Sequence, residues 1–158
     1  MKIFFNVLFL LLVFISHANS AQAGFDKQAF YNTMSSGSLE EINSMLETVK
    51  ASALDEKDAY EGALLMKKAG LVSKAKEKLS LFKTGRTKLE SAIKNNNNNI
   101  EFIFLRLIIQ EHAPKMVKYN GNIENDCEII RNHYKSLPSV VQKAILDYSK
   151  KSKVLKTL

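Results

Sequence analysis

The fold is decided by one stretch of sequence, IEFIFLRLIIQEH at residues 100–112. At 100° per residue its apolar side chains surround almost the whole circumference of a helix, so such a helix is stable only when it is buried on most sides. Pro114 ends it. The β-branched and aromatic residues leave a strand over residues 100–109 as the alternative, but the length and the polar ends favour a helix. The stretch therefore predicts the central helix of an all-α domain.

Apolar residues on both sides of this stretch recur with the helical period, and no segment alternates as a strand would. About six helices are predicted, in an antiparallel bundle or a short helical-repeat-like array. The first begins at Ser38, which forms a capping box with Glu41. The second runs from about Asp58 to Ala69, with Asp55 or Asp58 as its cap and Gly70 as a left-handed residue at its end.

The third predicted helix spans residues 73–94, and Gly85 within it indicates a bend or a break. Five asparagines at residues 95–99 form the loop of a helical hairpin, because the asparagine side chain competes for backbone hydrogen bonds. Asn122 is expected to cap the fifth helix, and Pro138 to open the sixth.

The first 23 residues have the three-part pattern of a secretory signal peptide: Lys2, an apolar run over residues 3–15, and a polar stretch that ends in Ala-Gln-Ala. The apolar run is too short to cross a membrane. Cleavage is expected after Ala23, with a cut after Ser20 or an uncleaved anchor as alternatives. We therefore predict a signal peptide at 1–23, a flexible segment at 24–37 and one helical domain at 38–158, with no transmembrane segment in the mature chain, which is periplasmic or secreted.

Composition and motifs favour a protein that is not an enzyme. The chain has 158 residues, a net charge of +7 and one cysteine, so it has no intramolecular disulfide. His112 and His133 are the only histidines after residue 23, and no metal-binding or nucleophile motif accompanies them. No catalytic residue, metal or cofactor is predicted.

Arg106 is the one charge in the interior of the apolar stretch. A buried guanidinium requires a carboxylate partner or an exit to solvent. If the third and fourth helices form a hairpin around the asparagine run, Glu90 lies level with Arg106, and Gln110 lies one helical turn beyond it. These three residues are predicted to form a polar network. The alternative is a pocket in which Arg106 binds an anionic ligand.

A basic block extends from Lys67 to Lys94, with nine basic and two acidic residues. Its lysines form either a solvated helix face or a contact with an anionic surface. The candidate contact residues are Lys74, Lys76, Lys78, Lys83 and Lys88. Nucleic acid is disfavoured as a partner because lysines outnumber arginines by 19 to 3 after residue 23.

Two segments carry a resemblance to a known group of proteins: AYEGALLMKKAG at residues 59–70 and EFIFLRLIIQEHAP at residues 101–114. They resemble segments of small exported helical proteins from Bacteroidota. That group has no known activity. The resemblance therefore implies a setting in the cell envelope and an all-helical fold, and it assigns no site.

Two functions from different classes follow from these observations. The first is a non-enzymatic exported helical protein that acts as a protein-interaction module, with an envelope protein as its partner. The second is a carrier or sensor of a small anionic or amphipathic ligand held between helices, with Arg106 as its polar anchor.

Overall fold

The computed structural model describes residues 25–156, and this part of the chain contains helices and no strand. The signal peptide predicted at 1–23 lies outside the described residues. Seven α-helices and two short 3-10 helices, at Lys115–Val117 and Tyr134–Ser136, are present in the described part. The α-helices are α1 (Lys27–Ser36), α2 (Leu39–Ala51), α3 (Lys57–Leu71), α4 (Ala75–Asn95), α5 (Ile100–His112), α6 (Ile123–His133) and α7 (Ser139–Ser149).

The prediction of a central apolar helix is confirmed, and the strand alternative is wrong. Helix α5 has the predicted bounds, and nine of its thirteen residues are buried. The side chain of Asn99 accepts a hydrogen bond from the backbone N–H of Phe102 at 3.3 Å, which caps the first turn. Helices α3, α4 and α6 pack around α5, while α1 packs against α2 and α7. No helix within residues 25–156 is long and apolar enough to cross a membrane.

The helix count is seven rather than about six because residues 27–36 form α1, where a flexible segment was expected. Asp26 caps this helix by accepting hydrogen bonds from the backbone N–H groups of Gln28 and Ala29. A ten-residue helix has little stability by itself, so its packing decides whether it forms. Phe30, Tyr31 and Met34 are all buried in the core, and this tertiary packing stabilises α1.

The helix ends were predicted with mixed success. The capping box of Ser38 and Glu41 at the start of α2 is confirmed in both of its hydrogen bonds. The caps expected for α3 are wrong: Glu56 occupies the cap position without a side-chain bond. Gly70 lies inside α3, which continues to Leu71 and ends in extended backbone at Val72.

Gly85 does not break α4, which runs unbroken from Ala75 to Asn95. It lies instead where α4 crosses α3, opposite Gly62. A Cβ atom on Gly85 would lie 2.5 Å from the carbonyl oxygen of Gly62, and one on Gly62 would lie 2.7 Å from that of Gly85. The two glycines therefore let the backbones of α3 and α4 approach more closely than any side chain would allow.

We expect Gly85→Ala to destabilise the protein by about 1–3 kcal/mol, because the new methyl group would force α3 and α4 apart. The matched control is Gly70→Ala. Gly70 is helical and exposed, and a Cβ atom added to it would have no atom within 4 Å, so this change should stabilise α3 by up to about 1 kcal/mol. Urea unfolding of both variants measures the difference. Equal effects at the two positions would contradict the close crossing.

Candidate functional site

A buried polar cluster lies at the middle of α5 and consists of Arg106, Asp126, Glu90 and Tyr119. Arg106 donates from Nε to Asp126 Oδ2 at 2.8 Å and from Nη2 to Asp126 Oδ1 at 2.6 Å. Its Nη1 donates to Glu90 Oε2 at 3.2 Å. The paired bonds to Asp126 have the planar two-pronged geometry that makes an arginine–carboxylate pair directional.

Burial makes this ion pair necessary. The side chain of Asp126 is fully buried and that of Arg106 is 9% exposed. Desolvation opposes the charge on Arg106, but the hydrogen bonds and charge of Asp126, and then of Glu90, raise its pKa overall. Burial raises the pKa of Asp126, and Arg106 opposes that rise. Each charge is therefore retained in the interior because the other is present.

Glu90 extends the cluster from α4 toward the surface. Tyr119 donates its hydroxyl hydrogen to Glu90 Oε1, and burial raises the pKa of Tyr119, so it remains a neutral donor at physiological pH. The guanidinium of Arg86 lies over the ring of Tyr119 at 4.7 Å from its centroid, which is cation–π geometry. The cluster thus joins α4, α5, α6 and the loop that contains Tyr119.

The structure brings two of the three predicted network residues together and separates the third. Arg106 and Glu90 form an ion pair. Gln110 is buried but donates to Asn122 Oδ1 at 3.3 Å, and its own Oε1 has no partner among residues 25–156. Asn122 occupies the predicted N-cap position of α6, but its side chain makes no capping hydrogen bond.

Sequence reasoning missed two residues of the cluster, Tyr119 and Asp126, and Asp126 is the one that left a signal in the sequence. It lies three residues after Ile123 and four before Ile130, so it is at the edge of the apolar stripe of α6. An acidic residue at that position, in a chain with an arginine inside its most apolar helix, was the signal that could have identified the pair.

All three guanidinium nitrogens of Arg106 donate to carboxylates of the protein itself. An anionic ligand would have to displace Asp126 or Glu90 from the guanidinium. Displacing Asp126 would leave a fully buried carboxylate unpaired, which is strongly unfavourable. This geometry favours a structural role for Arg106.

A second polar contact fixes the start of α5 to α1. Lys27 donates to Glu101 Oε2 at 2.6 Å, and Tyr31 donates to Glu101 Oε1 at 2.9 Å. Glu101 is buried. Desolvation and the neighbouring carboxylate raise the pKa of Tyr31 well above its ordinary value. Glu101 therefore accepts from a cation and from a neutral hydroxyl, and both donors come from α1.

A third polar contact fixes the C-terminal segment, residues 150–156, to the end of α5. Glu111 accepts hydrogen bonds from the hydroxyls of Tyr148 and Ser152 and, at 2.6 Å, from the backbone N–H of Lys153. Ser152 in turn accepts from the backbone N–H of Leu155 at 2.8 Å. Leu155 is fully buried, so one carboxylate holds a turn that inserts an apolar side chain into the core.

The remaining reactive side chains of the described residues are two histidines and one cysteine. His112 and His133 are exposed near the ends of their helices, where each ring Nδ1 lies 2.9 Å from a backbone carbonyl one turn earlier. Cys127 is buried, and burial raises the pKa of its thiol, which disfavours the nucleophilic thiolate. Within residues 25–156, no group of three His, Cys, Asp or Glu side chains could hold a metal ion.

The five candidate lysines divide into two groups. Lys88 donates to Asp58 at 2.7 Å and lies 3.2 Å from Glu61, so its charge is neutralised within the protein. The other four are exposed and form no ion pair in the described part of the chain: Lys74, Lys76, Lys78 and Lys83. They lie in and just before the first half of α4, where their charge faces solvent.

No protein-family model, curated protein or solved structure matches the chain. Its function is therefore inferred from its own residues.

Arg106→Leu should destabilise the protein by about 3–5 kcal/mol, because it leaves Asp126 buried without its cation. Glu90→Gln should cost less, since the Glu90 side chain is 35% exposed and can be rehydrated. The double variant Arg106→Leu, Asp126→Leu should recover part of the loss, because no fully buried charge is then left unpaired. Denaturant unfolding measures all three. A loss in Arg106→Leu no larger than that in Glu90→Gln would contradict a structural role for the pair.

The contact at Glu111 should make the C-terminal segment sensitive to acid. Although desolvation opposes its charge, hydrogen bonds from Ser152, Tyr148 and Lys153 lower the pKa of Glu111 below its ordinary value of 4.5. Its contribution to stability is therefore present above about pH 4.5 and is lost as the pH falls through the lowered, folded-state pKa. We expect the backbone amides of Lys153 and Leu155 to lose protection from hydrogen exchange over that acidic range.

Glu111→Gln should lose that protection at neutral pH as well, and its difference from the wild type should shrink as the medium becomes acidic. Glu40→Gln, at an exposed carboxylate of α2, is the matched control. Protection at Leu155 that is the same in Glu111→Gln and in the wild type at neutral pH would contradict the contact.

Proposed function

We propose that the protein is an exported, non-enzymatic interaction module that binds an acidic protein of the cell envelope through the basic end of α4. We define the basic end of α4 as residues 74–83. The observation that carries the proposal is the exposure of this segment, in which four unpaired lysines surround a half-exposed leucine.

The first turns of α4 extend beyond the core. Every residue from Ser73 to Ser80 is exposed, and burial of the helix begins at Phe82. Leu79 is 49% exposed, and Leu71, just before the segment, is 46% exposed. An exposed apolar patch with a polar rim is a frequent composition for a surface that a partner covers.

The electrostatic field of the segment favours an acidic partner. Residues 74–83 contain four lysines and one acid, Glu77, which gives a local charge of +3. The first turn of α4 has no side-chain cap, so the partial positive charge at the helix N-terminus adds to the field. Complementary charge of this kind speeds the encounter with an acidic partner and disfavours the binding of basic proteins.

Two alternatives are less well supported. The carrier function required Arg106 as an anchor for an anionic ligand, and its guanidinium is already bonded to Asp126 and Glu90. A lipid surface would favour exposed aromatic side chains and an unbroken basic face. The one aromatic residue of the basic end, Phe82, is buried, and Glu77 lies among the lysines.

Export is supported by the pattern of residues 1–23 and by the resemblance to exported helical proteins. A leader of this type directs the chain to the compartment in which it would meet an envelope protein. N-terminal sequencing of the mature protein tests this part, with Gly24 as the expected first residue.

The docking surface can be tested by photo-crosslinking in the cells that make the protein. A photoreactive amino acid at Leu79 should yield one discrete crosslinked partner. The same replacement at Leu146, which is 45% exposed on α7, is the matched control and should not yield that product. The triple variant Lys74→Glu, Lys76→Glu, Lys78→Glu should abolish the Leu79 product, because it reverses the sign of the field.

The partner recovered from Leu79 should be acidic, and the crosslink should weaken as salt is raised above about 0.15 M, where charges more than ~8 Å apart are screened. Identical products from Leu79 and Leu146, or none from Leu79, would contradict the proposal. Crosslinks from Leu79 to lipid alone would assign the segment to a membrane surface instead.

A further inference from the structure

We propose that the partner binds through an amphipathic helix with an apolar stripe and acidic flanks, which continues the helix packing of α4 beyond the core. This inference rests on the proposed function and specifies the element that the basic end of α4 recognises.

The apolar stripe of α4 is longer than the part that the core covers. Ala75, Leu79 and Phe82 follow one another at spacings of four and three residues, which is the spacing of the seam between two packed helices. The next position of the stripe is Arg86, which is exposed, and the stripe then resumes at Leu89 and Ile93. Phe82, Leu89 and Ile93 are buried, whereas Ala75 and Leu79 are exposed. The uncovered part is therefore the end of a helix–helix seam whose other end is already filled.

Lysines flank both sides of this uncovered seam. At 100° per residue, Lys78 lies on one side of the stripe, and Lys76 and Lys83 lie on the other. These are the positions from which charged residues in packed helices contact the partner helix and determine its identity. A partner with glutamate or aspartate at the corresponding positions would pair with lysines on both sides.

The same charges argue against a second copy of this chain as the occupant. Two basic ends packed together would place lysines of one copy beside lysines of the other, and like charges at packed helix flanks are unfavourable. The seam from Ala75 to Phe82 is about 10 Å long at 1.5 Å per residue. It can accommodate about two turns of a partner helix, which is suited to a reversible contact.

A peptide series tests the inference with the full-length protein. The probe is a fluorescent synthetic helix with leucine along the seam and glutamate on both flanks. One comparison peptide has the same composition in scrambled order, and the other has lysine on both flanks. We expect the acidic amphipathic peptide to bind at least about tenfold more tightly than either comparison peptide at low salt, with a gain in helicity by circular dichroism.

The variants Leu79→Asp and Leu146→Asp form a matched pair, since both replace a leucine that is about half exposed. Leu79→Asp should weaken binding of the acidic peptide at least about tenfold, and Leu146→Asp should leave it unchanged. Sedimentation of the free protein should show no self-association through this seam. If the protein does self-associate, Leu79→Asp should leave that association unchanged.

Each other outcome overturns the inference. Equal binding of the scrambled acidic peptide would show that charge alone is recognised, and the proposed function would stand without the helix. Equal binding of the basic peptide, or binding of none, would exclude a helical partner at this seam. Self-association abolished by Leu79→Asp would assign the seam to a second copy. The crosslinking experiment at Leu79 then decides the proposed function independently.

Discussion

The structure depends on the neutralisation of one buried cation. Helix α5 is apolar on nearly all sides and must be enclosed, yet it carries Arg106 at its centre. A guanidinium can be enclosed only if carboxylates accompany it. Asp126 of α6 supplies two hydrogen bonds from inside the core, and Glu90 of α4 supplies one from its edge. The position of Arg106 therefore dictates which faces of α4 and α6 turn toward α5.

Other polar residues of α5 act in the same way at its two ends. Glu101 accepts from Lys27 and Tyr31 and so places α1, while Glu111 accepts from Ser152 and Lys153 and so places the C-terminal segment. Apolar burial supplies most of the driving force for folding, but it is not directional. Hydrogen bonds to buried carboxylates are directional, and breaking one leaves an expensive unsatisfied group. They account for the arrangement of helices around α5 more than for the total stability.

Helix α4 combines a structural and an exposed half in one rigid element. Its second half is held by the close crossing at Gly62 and Gly85 and by the buried stripe that includes Leu89. Its first half extends the same stripe into solvent, with Leu79 at the surface. A partner that covers this half does not have to open the core, and the helix is already ordered, which lowers the entropic cost of binding.

The sequence by itself determined the helical class, the bounds of α5, the capping box at Ser38 and the level of Glu90 with Arg106, because helical period and capping are local properties of consecutive residues. It did not determine α1, whose ten residues become helical through the burial of Phe30. It also did not determine the role of Gly85, which has no side chain because the backbone of α3 passes close to it and not because α4 bends there. Nor did it determine that Asp126, rather than Gln110, is the partner of Arg106. Those outcomes were decided by tertiary structure, since each depends on which residue from a distant part of the chain arrives within a few ångströms, and helical periodicity contains no information about that distance.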